Sequence, residues 1–129
     1  TVAVTRAFLP ALARGGRRML VHINSIAGLC PFDGVPSYAA SKAAALSLTE
    51  GFRRELARRE IPVLSVLPGP LETDMASFLA VAKVDPATVA SVILDQIETG
   101  QGGVLFPDEG ARAFWAGLCR DPRSVLFLP

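Results

Sequence analysis

Several residue types are scarce in this 129-residue chain, and each scarcity excludes a class of protein. The two cysteines, Cys30 and Cys119, lie far apart and outside C-x-x-C spacing, which argues against a disulfide scaffold and against a zinc site. The net charge is only +1, so the basic footprint of a nucleic-acid-binding protein is missing. No apolar run approaches the roughly 18 residues of a membrane-spanning helix, and no signal peptide opens the sequence. We therefore expect a cytoplasmic protein that binds neither nucleic acid nor membrane.

Hydrophobic residues make up 50% of the chain, enough for the core of one domain or of a piece of one. Helical and strand patterns alternate along it, which is typical of βαβ units around a parallel sheet. Three strands are half of a usual doubly wound sheet, so the sequence predicts an incomplete α/β domain. Helices are predicted at 1–14, 37–59, 85–99 and 109–120, and strands at 19–25, 63–67 and 104–106.

The patterns also predict details of the first two helices. The first helix is expected to have an apolar face of Val4, Ala7, Phe8 and Ala11, which lie at helical spacing. The second helix is expected to carry i,i+4 ion pairs of Glu50 with Arg54 and of Glu55 with Arg59.

The single tyrosine, Tyr38, stands four residues before Lys42, one of only two lysines. On a helix the two side chains share a face, with Cβ atoms about 5–6 Å apart. A nearby ammonium favours the phenolate, which makes a tyrosine able to exchange a proton with an alcohol or a carbonyl. A buried tyrosine followed by a solvated lysine explains the same spacing, so both interpretations stay open at this point.

Ser25 ends the first predicted strand, thirteen residues before Tyr38. Open α/β sheets bind ligands at the carboxyl ends of their strands, where a hydroxyl can hydrogen-bond a substrate oxygen. A simple turn serine is the alternative. The segment from Asn24 to Gly28 lacks the leading glycine of a nucleophile elbow, and the only histidine, His22, precedes Ser25 on the same strand. A serine hydrolase is therefore disfavoured.

With these residues, and with a Pro68-Gly69 turn after the second strand followed by Thr73, the sequence resembles the classical short-chain dehydrogenases/reductases. The resemblance covers essentially the whole chain and is strongest over residues 20–75. It implies that residues 1–129 form the C-terminal half of a single doubly wound, Rossmann-like domain. The N-terminal cofactor-binding half is then absent from this chain.

The resemblance implies an NAD(P)-dependent oxidoreductase that interconverts a secondary alcohol and a ketone by hydride transfer. Tyr38 would be the general acid/base, Lys42 would favour its phenolate, and Ser25 would orient the substrate oxygen. The implied cofactor-binding residues are Tyr38, Lys42, Pro68, Gly69 and Thr73. The cofactor is NAD or NADP, because the residue that selects between them would lie upstream.

The sequence also departs from the family pattern. Its closest approach to a glycine-rich phosphate turn, Gly100-Gln-Gly-Gly103, follows a helix and precedes a strand, which is the wrong context. A non-catalytic or truncated member of the fold, acting as an assembly or ligand-sensing module, is therefore the alternative. His22 replaces the usual asparagine and is expected to be a hydrogen-bonded core or sheet-end residue rather than a catalytic one.

Two further expectations concern the pairing of subunits and the segment after the predicted cofactor turn. The helices at 1–14 and 37–59 would pair subunits in a homodimer or homotetramer, as the resemblance implies. Residues 74–84, with Met75, Phe78 and Leu79, follow the predicted cofactor turn directly. They are either a substrate lid or an ordinary amphipathic connector, and the sequence supports the two equally.

Overall fold

The computed structural model describes residues 1–123, in which four helices alternate with three strands. Every predicted helix and strand is present within three residues of its predicted ends. In chain order the elements are α1 (Val2–Arg14), β1 (Leu20–Ile23), α2 (Pro36–Ala57), β2 (Val63–Val66), α3 (Pro86–Glu98), β3 (Gly103–Leu105) and α4 (Glu109–Arg120).

The three strands form one parallel sheet in the order β1-β2-β3. Leu20 pairs with Val63 and Leu64 with Gly103, so each strand lies beside its successor in the sequence. All four residues of β2 are buried, as expected for a central strand with neighbours on both sides and covered faces. The predicted parallel α/β arrangement is confirmed.

The helix ends follow local chemistry. Pro36 begins α2, where its missing N–H removes no helical hydrogen bond. Asp85 caps α3 by accepting a hydrogen bond from the Thr88 N–H at 3.0 Å. Gly100 follows the end of α3 with a φ of +71°, a conformation that costs glycine little. Such signals are local, which is why the sequence locates these boundaries well.

Two apolar clusters lie at opposite ends of the strands. One contains buried Leu56, Ile61 and Val63, with Leu20 packed against them where the strands begin. The other lies where the strands end and packs α4 onto the sheet through Ile26, Leu67, Ala111 and the half-buried Phe106 and Phe114. The second cluster supports the edge of the sheet at which the polar side chains described below are found.

The apolar face predicted for α1 is exposed among the described residues. Val4 and Phe8 are 62% and 66% exposed, and Ala7 and Ala11 are exposed as well. The packed face instead contains buried Thr5, with Leu9 and Leu12 against the first cluster. Both faces have helical periodicity, and the face that packs is the one on which Thr5 is hydrogen-bonded to His22.

The predicted ion pairs of α2 are wrong. Glu50 pairs with Arg53 at 2.9 Å rather than with Arg54, because the Arg53 guanidinium also donates to the Gly103 backbone oxygen at 2.8 Å. A contact with β3 therefore decides which arginine is used. Within residues 1–123 no ion pair joins Glu55 to Arg59.

Cys30 is buried and Cys119 is exposed, and no disulfide joins the two. The part of the chain that the structure describes contains no cluster of three or more His, Cys, Asp or Glu side chains suited to a metal ion. Its helices are also too short or too polar to cross a membrane.

Candidate active site

Ser25 lies directly beyond β1 and begins a 3₁₀ turn that spans Ile26–Gly28. The Ser25 Oγ accepts a hydrogen bond from the Ala27 N–H at 3.1 Å, which fixes the side chain against its own turn. The residue is only 8% exposed. Because this bond uses the oxygen as an acceptor, the hydroxyl proton can still be donated to a ligand.

Lys42 extends from α2 to the same strand end. Its Nζ lies 3.5 Å from the Ile23 carbonyl oxygen and 3.4 Å from the Asn24 carbonyl oxygen, the two residues before Ser25. It also lies 5.6 Å from the centroid of the Tyr38 ring, which is 39% exposed. An ammonium has three N–H donors, so two carbonyl bonds leave one for a ligand.

Close packing brings the Ser25 turn onto α2. Gly28 faces the helix backbone at Lys42, where a side chain on the turn would collide with the helix. The one position of the turn without a Cβ is therefore also the position of closest approach. This contact puts the strand end with Ser25 next to the helix that carries Tyr38 and Lys42.

The Pro68-Gly69 turn lies at the same edge of the sheet, directly after β2. The Pro68 carbonyl oxygen accepts a hydrogen bond from the Ile26 N–H at 3.2 Å, so the two turns are joined. Thr73 is exposed just beyond and precedes a 3₁₀ turn at Asp74–Ala76, with its side chain making no capping hydrogen bond. The structure thus brings Ser25, Lys42 and the Pro68-Gly69 turn together, with Tyr38 beside Lys42 and Thr73 at the margin.

Asp108 is a site residue that the sequence did not reveal. The residue is 5% exposed. Its carboxylate accepts two backbone hydrogen bonds, from the Gly69 N–H at 2.9 Å and from the Ala111 N–H at 2.7 Å. The second bond caps α4, whose start the sequence did predict. The first joins α4 to the Pro68-Gly69 turn across 39 residues of sequence, for which no local signal exists.

His22 is buried behind this edge and is hydrogen-bonded on both ring nitrogens, as predicted for a core residue. Nε2 lies 3.1 Å from the Thr5 Oγ1, and Nδ1 lies 2.9 Å from the Thr49 Oγ1. Burial lowers the pKa of the imidazole below its ordinary value. Thr49 is a second residue that sequence analysis missed; its only signal is helical spacing, since it follows Lys42 by two turns.

A groove lies beside the site rather than over it. It has a volume of about 460 Å³ and runs between α1 and the outer edge of β1, with Val4, Phe8 and Ile23 among its walls. Lys42 reaches into it, whereas Ser25 and Tyr38 do not line it. The groove and the candidate site therefore share Lys42.

A parallel sheet with polar side chains gathered at the carboxyl ends of its strands defines the α/β class that binds ligands at this edge. Residues 1–83 match the sequence profile of the family described as short chain dehydrogenase. The chain belongs to the short-chain dehydrogenase family.

Individual relatives agree with this assignment. The chain is 32% identical over 109 residues to 3-oxoacyl-[acyl-carrier-protein] reductase FabG of Thermotoga maritima, covering 84% of this chain and 41% of that protein. A short chain dehydrogenase from Burkholderia cenocepacia J2315, solved in complex with NADP, matches with a TM-score of 0.88 at 33% identity, over 99% of this chain and 54% of that one. A short-chain dehydrogenase from Sphingobium yanoikuyae in complex with NADPH matches with a TM-score of 0.71 at 26% identity, over 96% and 52%. The matched part of the chain spans about a fifth to two fifths of the curated relatives' length.

Proposed function

We propose that this protein is an NAD(P)-dependent oxidoreductase that interconverts a secondary alcohol and a ketone, with Ser25, Tyr38 and Lys42 as the reacting set. One observation carries the proposal. The Lys42 ammonium is held at the carbonyls that directly precede Ser25 and lies 5.6 Å from the Tyr38 ring centroid. The Lys42 ammonium therefore contacts both the end of β1 that precedes Ser25 and the ring of Tyr38. The reductase and dehydrogenase relatives support the same reaction class.

Each side chain has a distinct task in the direction of alcohol oxidation. The Ser25 hydroxyl donates a hydrogen bond to the substrate oxygen and stabilises the charge that develops there. The Tyr38 oxygen accepts the hydroxyl proton of the alcohol, and Lys42 stabilises the phenolate that is needed for this. The bound nicotinamide supplies the hydride chemistry. Overall, a secondary alcohol and NAD(P)⁺ give a ketone, NAD(P)H and a proton, and reduction reverses every step.

The residues present suit one end of the dinucleotide. The remaining Lys42 N–H, the Thr73 hydroxyl and the backbone at Pro68-Gly69 are donors and acceptors of the kind that a ribose and a carboxamide use. The glycine-rich turn that would hold the pyrophosphate has no counterpart after β1, where the 3₁₀ turn packs on α2. We infer that these residues hold the nicotinamide-ribose end of NAD or NADP.

We also infer that α1 and α2 pair subunits in a homodimer or homotetramer. Exposed Leu48 lines a groove of about 270 Å³ between the two helices, together with Leu9 and Phe52. Small residues such as Gly51 would let a partner helix approach closely. Sedimentation of Leu48→Arg should show a smaller species than the wild-type protein, whereas an unchanged species would place the interface elsewhere.

Tyr38→Phe tests the proposed reaction in the protein as the cell makes it. Loss of the phenol oxygen should lower hydride transfer at least a hundredfold, since it removes the proton carrier. Binding of NAD(P)H, followed by its fluorescence, should change less than about threefold, because the ring and Lys42 remain. Ser41→Ala, on the same exposed stretch of α2, removes another hydroxyl and should leave the rate unchanged.

Turnover by Tyr38→Phe within tenfold of wild type would contradict the role of the phenol. A wild-type protein that binds neither NAD nor NADP would instead favour the assembly or ligand-sensing module.

A further inference from the structure

A chain of buried hydrogen bonds crosses the domain directly behind the candidate site. It runs from Thr5 on α1 to His22 on β1 and from there to Thr49 on α2. The Asn24 side-chain amide continues it, donating to the Thr49 Oγ1 at 3.1 Å and to the Ser65 Oγ on β2 at 2.8 Å. All five residues are buried. One polar network therefore joins two helices to two strands at this edge of the sheet.

The network favours one of the two neutral forms of the His22 imidazole. The Thr49 hydroxyl donates its only proton to the Ala45 carbonyl oxygen at 2.8 Å, one helical turn earlier. Its oxygen can therefore only accept from Asn24 and from His22. With the Thr49 proton on the Ala45 carbonyl, His22 Nδ1 is the donor to Thr49, and Nε2 of the neutral ring accepts from the Thr5 hydroxyl. Burial lowers the pKa of His22, which favours this neutral form.

The same network ends at the atoms that hold Lys42. Both amide protons of Asn24 are used by Thr49 and Ser65, while its backbone oxygen accepts from the Lys42 Nζ. Ser25 is the next residue. Thr49 and Lys42 are two turns apart on α2, so the helix is fastened to the end of β1 at two levels. His22 contacts the helix at Thr49, the more buried of these two positions.

We propose that His22 is a positioning residue that acts through Thr49. Its Nδ1–H holds Thr49 and thereby sets how α2, with Tyr38 and Lys42, stands against the strand end with Ser25. The inference rests on the proposed function for its consequence in catalysis. Small displacements of reacting groups have large effects on rate, so the contact should influence turnover although His22 touches no substrate.

Two substitutions separate the two ring nitrogens. In His22→Asn, the side-chain amide nitrogen can occupy the place of Nδ1, which keeps the donor to Thr49 and gives up the bond to Thr5. In His22→Gln, the longer side chain reaches the place of Nε2, which keeps the Thr5 bond and gives up the donor to Thr49. Thr5→Val and Thr49→Val remove the same two contacts from the other side.

Single-turnover hydride transfer and thermal unfolding should be measured on all four variants of the whole protein. His22→Asn and Thr5→Val should keep the transfer rate within about threefold of wild type. His22→Gln and Thr49→Val should lose at least tenfold, with NAD(P)H affinity changed less than threefold. Equal losses in the Asn and Gln variants, or losses that follow melting temperature alone, would overturn the positioning role.

Two measurements do not depend on turnover. The ¹⁵N–¹H spectrum of the His22 ring, assigned by its loss in His22→Asn, should show the proton on Nδ1, and a proton on Nε2 of the neutral ring would overturn the inference. In crystals of His22→Gln the Lys42 Nζ should move away from the Asn24 carbonyl oxygen, whereas an unmoved Nζ would also overturn it. A wild-type protein without hydride transfer would contradict the proposed function, and these two measurements would still decide the position of α2.

Discussion

A Cβ atom on Gly28 would lie 2.8 Å from the backbone oxygen of Lys42 and 3.0 Å from its carbonyl carbon. Both atoms belong to the helix backbone, so no flexible side chain can move aside. The distance between the Ser25 turn and α2 is thus set by the absence of one methyl group. This contact and the Lys42 bonds to Ile23 and Asn24 act on the same pair of elements.

Gly28→Ala should therefore push α2 away from the Ser25 turn. We expect the free energy of unfolding to fall by about 1–3 kcal/mol, as for other overpacked sites. Hydride transfer should fall at least tenfold, because Tyr38 and Lys42 move with the helix. Denaturant titration and single-turnover kinetics would measure the two effects.

Gly117→Ala is the matched control, since a Cβ there meets no atom within 4 Å. It should raise stability by up to about 1 kcal/mol, because glycine inside a helix costs conformational entropy. A Gly28→Ala protein as stable and as active as wild type would show that the Ser25 turn, and not α2, moves to accommodate the added Cβ.

Sequence patterns predicted what depends on neighbours along the chain. The buried strand 63–67, the Asp85-Pro86 helix start and the shared face of Tyr38 and Lys42 all arise from local spacing and capping. The carboxyl-end rule for parallel strands predicted in addition that Ser25 lies at the end of a strand, and Ser25 does follow β1.

Contacts between distant residues could not be predicted in the same way. Asp108 bonds Gly69 across 39 residues, and His22 bonds Thr49 across 27. A single sequence contains no signal for such pairs, because aspartate at a helix start and threonine within a helix have ordinary local explanations. The packed face of α1 could not be predicted for the same reason, since the partner of Thr5 lies on another element.

Asp108→Ala should weaken both the fold and cofactor binding. Loss of the helix cap is expected to cost about 0.5–2 kcal/mol of unfolding free energy. The Gly69 N–H also loses its carboxylate acceptor, so the Pro68-Gly69 turn is no longer fixed to α4. We expect the dissociation constant for NAD(P)H to rise at least fivefold, measured by fluorescence titration well below the melting temperature.

Asp85→Ala provides the control, because Asp85 caps α3 in the same manner but bonds only within its own helix start. Its stability cost should be similar, with NAD(P)H affinity unchanged. If Asp85→Ala weakened cofactor binding as much as Asp108→Ala, the effect would be one of general stability and not of the Gly69 contact.

Stability should depend on pH through His22. Burial lowers the pKa of the folded imidazole below the ordinary 6.5, so the unfolded chain binds more protons as the pH falls through that value. The free energy of unfolding should therefore be highest above about pH 6.5 and decrease below it. Urea titrations between pH 5 and 8 would show this slope in wild type, and His22→Asn should lack the His22 contribution. Identical pH profiles for the two proteins would mean that His22 titrates equally in both states.

The segment between Leu71 and Val84 offers a direct test of lid against connector. The two ends of the segment are joined by a hydrogen bond from the Glu72 N–H to the Val84 carbonyl oxygen at 2.9 Å. Between them, Met75 and Phe78 are 76% and 66% exposed. Exposed apolar side chains on a segment with fixed ends, directly after the proposed cofactor turn, favour the interpretation as a substrate lid. Phe78→Ser should change unfolding free energy by less than about 0.5 kcal/mol, as exposed substitutions do. It should raise KM for large apolar ketones at least fivefold while leaving KM for small ones unchanged.

Leu94→Ser on α3 is the comparison, since Leu94 is 60% exposed on a helix that contains none of the candidate site residues. That variant should show wild-type KM values for every ketone. If Phe78→Ser behaved in the same way, the segment would be a connector, and the apolar surface at its tip would have no part in binding the substrate. A selective rise in KM would instead locate substrate recognition in residues 73–83, because the Leu94→Ser control excludes a general effect of losing exposed apolar surface.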